Sequence, residues 1–367
     1  MKLHRIMLLL LLLTLSALAQ APVDQTKIDQ IVSSDMAAKL TPAVQIAIAK
    51  DGRIVYSKAF GIVDEENDLR ATPQTLFRTG SIAKQLTAVA ALTLVDSGKL
   101  KLDMPIQTYC PAFPLKQWTI TTRELLSHTA GIRHYQGDEI ESTKHYKFMA
   151  DGMVIFENDP LLFEPGTAFN YSTYGYTVAG CVIEGAAHQP YFNYLHQHVL
   201  QPAGMEHTAV DDVYAIVPRR ARGYQKENGI IENAGLMDSS YKIPGGGLDT
   251  TAEDLVRLGS ALMNGKVLNR ETAAEMWTPF QFHSSAFATS PAPNPSHYGL
   301  GWEIAESNGH KVPWHTGSQQ GCNTAWALIP DEHFAVAVMT NMEGARPIDI
   351  VNQVLEAFAG VTTARPR

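Results

Sequence analysis

Hydrophobic and polar positions change their period twice along this chain. Ala43 to Lys50 and Arg53 to Phe60 alternate in burial character on either side of Asp51-Gly52, which predicts two antiparallel strands joined by a tight turn. A short helix is expected just before them, from Thr26 to Ala38. From Phe77 onwards the alternation gives way to a long apolar run that reads as a helix ending near Gly98. Between there and about residue 240 the pattern is helical with irregular loops: Thr122 to His128, Tyr174 to Ala187, Tyr191 to Val199, punctuated at Pro165-Gly166 and Pro202-Ala-Gly204. Pro244-Gly-Gly-Gly247 marks a return, and Thr250/Thr251 precede a helix from Ala252 to Met263. Strands resume at Tyr298 to Ile304 and near Trp314. Cys322 to Ile329 and Phe334 to Thr340 then predict a second hairpin across Pro330-Asp-Glu-His, and an amphipathic helix from Pro347 to Ala359 closes the pattern.

Strands therefore occupy both ends and helices the middle. That arrangement predicts an α+β fold, with an antiparallel sheet built from both chain ends, flanked by helices, and a mostly helical lobe inserted between them. The expected division is residues 22–80 with 241–367 for the sheet lobe and 81–240 for the helical lobe. A site at their junction follows. Length agrees: the 367 residues exceed what one core usually organises.

The first 21 residues belong to targeting and not to fold. Lys2 and Arg5 precede an almost unbroken leucine run from Ile6 to Leu15, and small residues around Ala17 to Ala21 offer cleavage sites. The run is shorter than the about 20 residues a membrane helix needs, so a secreted or periplasmic protein without a stable membrane anchor is expected. With Lys2 and Arg5 removed the formal charge moves from −8 to −10, which argues against nucleic acid as a partner. Three cysteines, Cys110, Cys181 and Cys322, all lie in apolar contexts. Buried free thiols are the default expectation, and one disulfide is compatible with the count.

The chemistry concentrates at Ser81-Ile82-Ala83-Lys84, at the mouth of the apolar helix. A hydroxyl and an amine three residues apart share one helix face. Gly80 permits a tight entry turn, and the helix N-terminus stabilises developing negative charge. Burial there lowers the lysine's affinity for its proton and makes it a candidate base. Alone, such a tetrapeptide is a weak signal, but two further segments keep it company. Tyr171, in Phe169-Asn-Tyr171-Ser172-Thr173, can shuttle a proton if nearby cations lower its pKa. In Trp314-His315-Thr316-Gly317-Ser318, a glycine on a strand lets a substrate approach, and the following amide can face an oxyanion.

Ser-x-x-Lys, Tyr-Ser-Thr and His-Thr-Gly in this order resemble the three elements of the serine β-lactamase and penicillin-binding-protein superfamily. Leu125-Leu-Ser-His-Thr-Ala-Gly-Ile132, Pro202-Ala-Gly-Met-Glu-His-Thr208, Pro244 to Asp254 and Tyr298-Gly-Leu-Gly-Trp302 extend the resemblance over the rest of the chain. It is similar to the class C β-lactamase-related branch, which includes D,D-peptidases, esterases and LACTB-like proteases. The resemblance implies Ser81 as nucleophile, Lys84 and Tyr171 as proton-transfer groups, and Thr173, His315, Thr316, Gly317 and Ser318 as substrate-binding or oxyanion residues. It implies a small-molecule or peptide/peptidoglycan-type substrate and no cofactor or metal. Two departures point away from an efficient β-lactamase. Thr173 stands where class C enzymes carry asparagine, and His315 opens the third element where lysine is usual. The implied activity is hydrolysis of an amide or ester through a Ser81 acyl-enzyme. A true class C-like β-lactamase or D,D-carboxypeptidase is the nearest alternative, and a ligand sensor that acylates without turnover is one of another class.

Other chemistries fit less well. No Gly-x-Ser-x-Gly elbow, no His-Glu-x-x-His and no complete dinucleotide or phosphate loop occurs. Ser127-His128 reads as a helix end with a structural role, and His196 and His198 fall on different helix faces. Acyl-pocket contacts are expected from the loops Gly137 to Met153 and His283 to His297.

Overall fold

The computed structural model describes residues 23–283 and 297–363. The targeting segment 1–21 and nearly all of the His283–His297 loop lie outside the described residues. Seven strands form the main sheet: β1 (Ala43–Lys50), β2 (Arg53–Asp64), β3 (Leu69–Arg70), β4 (Glu303–Ser307), β5 (His310–Gln319), β6 (Cys322–Ile329) and β7 (Phe334–Thr340). Their order is β3-β2-β1-β7-β6-β5-β4, and each neighbouring pair is antiparallel. The two predicted hairpins meet at the sheet's centre, where Ala47 of β1 faces Ala337 of β7. The first strand expected at Tyr298 begins later, at Glu303, because Tyr298 to Trp302 turns across the helices before the ladder starts.

The alternation in β1 sorts residues by size as well as by polarity. Val44, Ile46 and Ile48 join one apolar cluster with residues of α1 (Gln25–Lys39) and α5 (Pro347–Ala359). Each such side chain contributes about 1.5–3 kcal/mol by leaving water. The opposite row, Ala43, Ala47 and Ala49, is small, and α4 (Ala252–Met263) packs over it. Gln45 is the polar member of that row and is fully satisfied. Its Nε2 donates to the carbonyls of Thr72 (2.9 Å) and Thr75 (3.1 Å), and its Oε1 accepts from Ala252 N–H (2.6 Å). The start of α4 is thus pinned to the sheet, while the Thr251 side chain caps it by accepting from Asp254 N–H.

Two helices on the same side of the sheet are buried nearly all round. Every residue of α2 (Ala83–Asp96) from Ala83 to Leu92 is buried, and α3 (Thr173–Ala187) buries Tyr174, Tyr176, Val178, Ala179, Val182 and Ile183. Helices apolar on every face belong inside a protein, and this explains the unbroken run after Ser81. A further helix starts at Tyr191 as expected, but it continues past Val199. A wider, π-helical turn over His196–Leu200 carries it to Ala203, and Gly204 ends it.

Between residues 77 and 250 the chain also contains short strands that the apolar pattern did not announce. Phe77–Arg78, Leu248–Thr250 and Ala209–Val210 make a small second sheet, too short for any period to register. Tyr224–Glu227 and Ile230–Asn233 form a solvent-facing hairpin whose one legible signal is the Asn228-Gly229 turn.

The cysteine expectation needs correcting. Cys110 and Cys181 are disulfide-bonded, with Cα atoms 5.5 Å apart, and only Cys322 is a buried free thiol. Composition showed apolar surroundings but not that a loop residue and the middle of α3 come within bridging distance. The bond closes a span of 71 residues. Converting both cysteines to serine should therefore lower stability by about 2–4 kcal/mol. Urea unfolding should show an earlier midpoint for the double variant, and reductant should shift the native protein alone; equal midpoints would mean that the bond does not constrain the unfolded chain.

Candidate active site

The site begins with a turn, not a helix. Gly80–Ile82 forms a 3-10 turn that leads into α2, and Gly80 takes a φ of +51°. A side chain at Gly80 would lie 2.6 Å from Ser318 N, and one at Gly317 would lie 2.0 Å from the Thr79 carbonyl and 3.0 Å from Ser81 N. Glycine at both positions lets the turn and β5 touch through backbone alone. The Ser81 and Ser318 amides are brought close together by that contact. β4 pairs with β5 only from His310 to Trp314, so beyond that point β5 is hydrogen-bonded to β6 alone.

Lys84 is completely buried on the first turn of α2. Its Nζ lies 2.7 Å from the Gly245 carbonyl, 3.1 Å from Thr173 Oγ1 and 3.0 Å from Ser81 Oγ. Among the described residues no carboxylate pairs with it. Burial, reinforced by the nearby Lys242 ammonium, holds its pKa well below the usual lysine range. A neutral amine has two N–H bonds and one lone pair. The Gly245 carbonyl can only accept, so it takes one hydrogen, while the Thr173 and Ser81 hydroxyls can each give or accept a proton, so either can meet the lone pair.

Tyr171 completes this group, with its hydroxyl hydrogen-bonded to Ser81 and its ring centre 4.8 Å from Lys84 Nζ. The expectation that nearby cations lower its pKa is not met. Burial dominates and raises it, so the phenol keeps its proton. Its ring packs against His128 at 4.2 Å and His134 at 5.5 Å. His128 Nδ1 accepts from Ser172 N–H (3.1 Å), and the Ser172 side chain caps α3 by accepting from Gly175 N–H (3.0 Å). These bonds orient the Tyr171–Thr173 segment, which gives Ser127-His128 a supporting position behind the site.

His315 is buried with both ring nitrogens engaged. Nδ1 lies 2.5 Å from the Thr316 carbonyl, and Nε2 lies 3.1 Å from the Tyr298 hydroxyl. Burial pushes its pKa down to about 3, so the ring is uncharged at neutral pH. Thr316 is half-buried, Gly317 lies against the Ser81 turn, and Ser318 is exposed. The structure thus gathers Ser81, Lys84, Tyr171, Thr173, Gly317 and Ser318 at one place, with His315 and Thr316 just before Gly317 on β5. Lys242 and Tyr135 were absent from the sequence reading. Lys242 is buried with its Nζ 5.4 Å from the Tyr135 ring centre and 5.3 Å from that of Tyr241. Its one sequence signal is its place directly before the Ile243–Gly247 turn.

Comparison with known proteins bears on this geometry directly. The β-lactamase family profile matches residues 28–359. The chain belongs to the β-lactamase family. It is 27% identical to the human mitochondrial serine beta-lactamase-like protein LACTB, over 79% of this chain and 69% of that one. The putative penicillin-binding protein PbpX of Bacillus subtilis is 32% identical over 63% of this chain and 58% of its own length. Among solved structures, the octameric penicillin-binding protein homologue from Pyrococcus abyssi superposes with a TM-score of 0.79 at 26% identity, covering 93% of this chain and 78% of that one. The α+β architecture expected from the strand pattern and the β-lactamase/transpeptidase-like fold implied by the motif resemblance are therefore the family's own.

The Thr173 contact is open to test. Thr173→Val keeps the shape and removes the oxygen that meets Lys84. Losing one such bond is worth about 1–2 kcal/mol, so labelling of Ser81 by a fluorophosphonate should slow roughly tenfold. An unchanged rate would show that Lys84 does not depend on that oxygen.

Proposed function

We propose that this chain is an exported serine hydrolase that cleaves an amide or ester through an acyl-enzyme on Ser81. The observation that carries the reading is the buried, carboxylate-free Lys84 amine 3.0 Å from Ser81 Oγ. Ser81 Oγ forms a bond to the substrate carbonyl carbon, and its proton passes to the Lys84 lone pair. Tyr171, protonated at rest, gives its proton to the leaving group as the C–N or C–O bond breaks and recovers one from the Lys84 ammonium. The tetrahedral oxygen is held by the Ser81 and Ser318 amides, whose strand contact depends on Gly80 and Gly317. Water then attacks the acyl carbon along the same relay and restores Ser81.

The substrate reading favours peptides and esters over β-lactams. An uncharged His315 supplies no positive field for the carboxylate that penicillins carry, and Thr173 offers Lys84 a hydroxyl in place of an asparagine amide. Export is supported by the Lys2/Arg5 and leucine-rich start and by the Cys110–Cys181 bond, which suits an oxidising compartment.

Steady-state assays with a p-nitrophenyl ester, a D-amino-acid amide and a penicillin test the reading together. Ester or amide turnover should exceed penicillin turnover at least tenfold, and Ser81→Ala should abolish both while melting at the native temperature. Turnover surviving in Ser81→Ala would remove the nucleophile from the account. The rate should also fall on the acid side as Lys84 gains a proton, since only the neutral amine accepts one from Ser81. A rate that rises as pH falls through that range would exclude Lys84 as the base.

A further inference from the structure

We propose that Lys242 is the positioning residue that keeps Lys84 in its proton-accepting form: a second buried ammonium, set behind the catalytic turn, that opposes a positive charge on the first. The inference rests on the Ser81 hydrolase reading and adds a residue outside the three motif elements.

Two routes through intermediate residues connect Lys242 to Lys84. Along the chain, Lys242 ends a 3-10 turn and leads directly into Ile243–Gly246, and the Gly245 carbonyl of that segment accepts from Lys84 Nζ at 2.7 Å. Across the fold, the Tyr135 ring lies under Lys242 Nζ, and the Tyr135 hydroxyl is close enough to Thr173 to interact with it. Thr173 Oγ1 in turn is 3.1 Å from Lys84 Nζ. Lys242 is 2% exposed and Lys84 0%. With little water between them, two amines in this position repel strongly if both are charged.

The charges around the pair favour this division. On the Lys242 side, Asp211 and Asp238 attract its proton, whereas Arg78 opposes it, and the Cys322 thiol lies near. Both carboxylates are already engaged: Asp211 with Arg78 at 3.1 Å and Asp238 with His145 at 2.8 Å. Lys242 rests on the faces of Tyr135 and Tyr241, which suit a cation. On the Lys84 side the neighbours are Tyr171, Tyr176, His128, His134 and His315, and the three imidazoles are all pushed towards their neutral forms. Glu303 bears on Tyr171. Lys242 is lowered only to about 8 and so stays largely protonated at neutral pH, whereas Lys84 is lowered well below its usual range. One proton is held where carboxylates face it and is kept from the amine that faces Ser81.

In a different enzyme layout this charge could come from the strand element, but here that position is the uncharged His315.

Lys242→Met tests this through the pH dependence of kcat/KM for a p-nitrophenyl ester. Without the second charge Lys84 binds its proton more tightly, so the acid limb should move up by about one pH unit, a roughly tenfold loss below the limb. The alkaline plateau should fall much less, and Lys242→Arg should restore the native limb. A uniform loss at all pH values, with the limb unmoved, would mean a merely structural role and overturn the proposal. If Lys242→Met does not fold, [15N]lysine NMR of the native protein decides. Lys84 Nζ, assigned by its loss in Lys84→Met, should show a second inflection as Lys242 titrates; two independent single-step curves would overturn the proposal. The NMR readout does not need turnover, so a native protein that never acylates at Ser81 would sink the hydrolase reading and leave this inference still under test.

Discussion

Burying one amine without a carboxylate partner is the constraint on which the site depends. An ionised lysine so placed would cost several kcal/mol, and the fold avoids this by leaving Lys84 neutral. Everything around it serves that state. α2 is buried on every face from Ala83 to Leu92, which takes the amine out of solvent. The Gly245 carbonyl, the Thr173 hydroxyl and Ser81 Oγ all lie within hydrogen-bond distance of its nitrogen. The same burial keeps the proton on Tyr171 and off His128, His134 and His315. The site is therefore a set of largely neutral donors and acceptors.

The scaffold converts chain order into this arrangement. β1 and β7 pair at the sheet's centre, and β5 follows from that register. The backbone contact between the Gly80 turn and Gly317 then sets the distance between Ser81 and the strand. The Ser172 cap on α3 and its bond to His128 set Tyr171 and Thr173 on the other side. Small errors in either contact would separate Ser81 from one of its partners, whereas changes in the exposed Tyr224–Asn233 hairpin touch none of them.

What the sequence made legible follows from period and from motif. The two main hairpins, α4 and α5 were readable because each carries an uninterrupted period of its own. Ser81 and Lys84 were readable because a helix fixes what lies three residues away. The short strands around Phe77, Ala209 and Leu248 had too few residues to show a period. The Cys110–Cys181 bond and the Lys242–Tyr135–Thr173–Lys84 connection join segments far apart in the chain, and local pattern carries no record of them. The condition set for Tyr171, cations near enough to lower its pKa, fails for a related reason: the sequence did not show how deeply the ring is buried, and burial raises the pKa instead.

The most direct test of the central claim is acid-quenched intact-mass and peptide-mapping analysis of the protein during reaction with an activated ester. The account predicts an acyl group on the peptide that contains Ser81, formed within the turnover time, absent in Ser81→Ala and strongly reduced in Lys84→Met. Turnover with no adduct at Ser81, or an adduct that persists unchanged in Ser81→Ala, would contradict it.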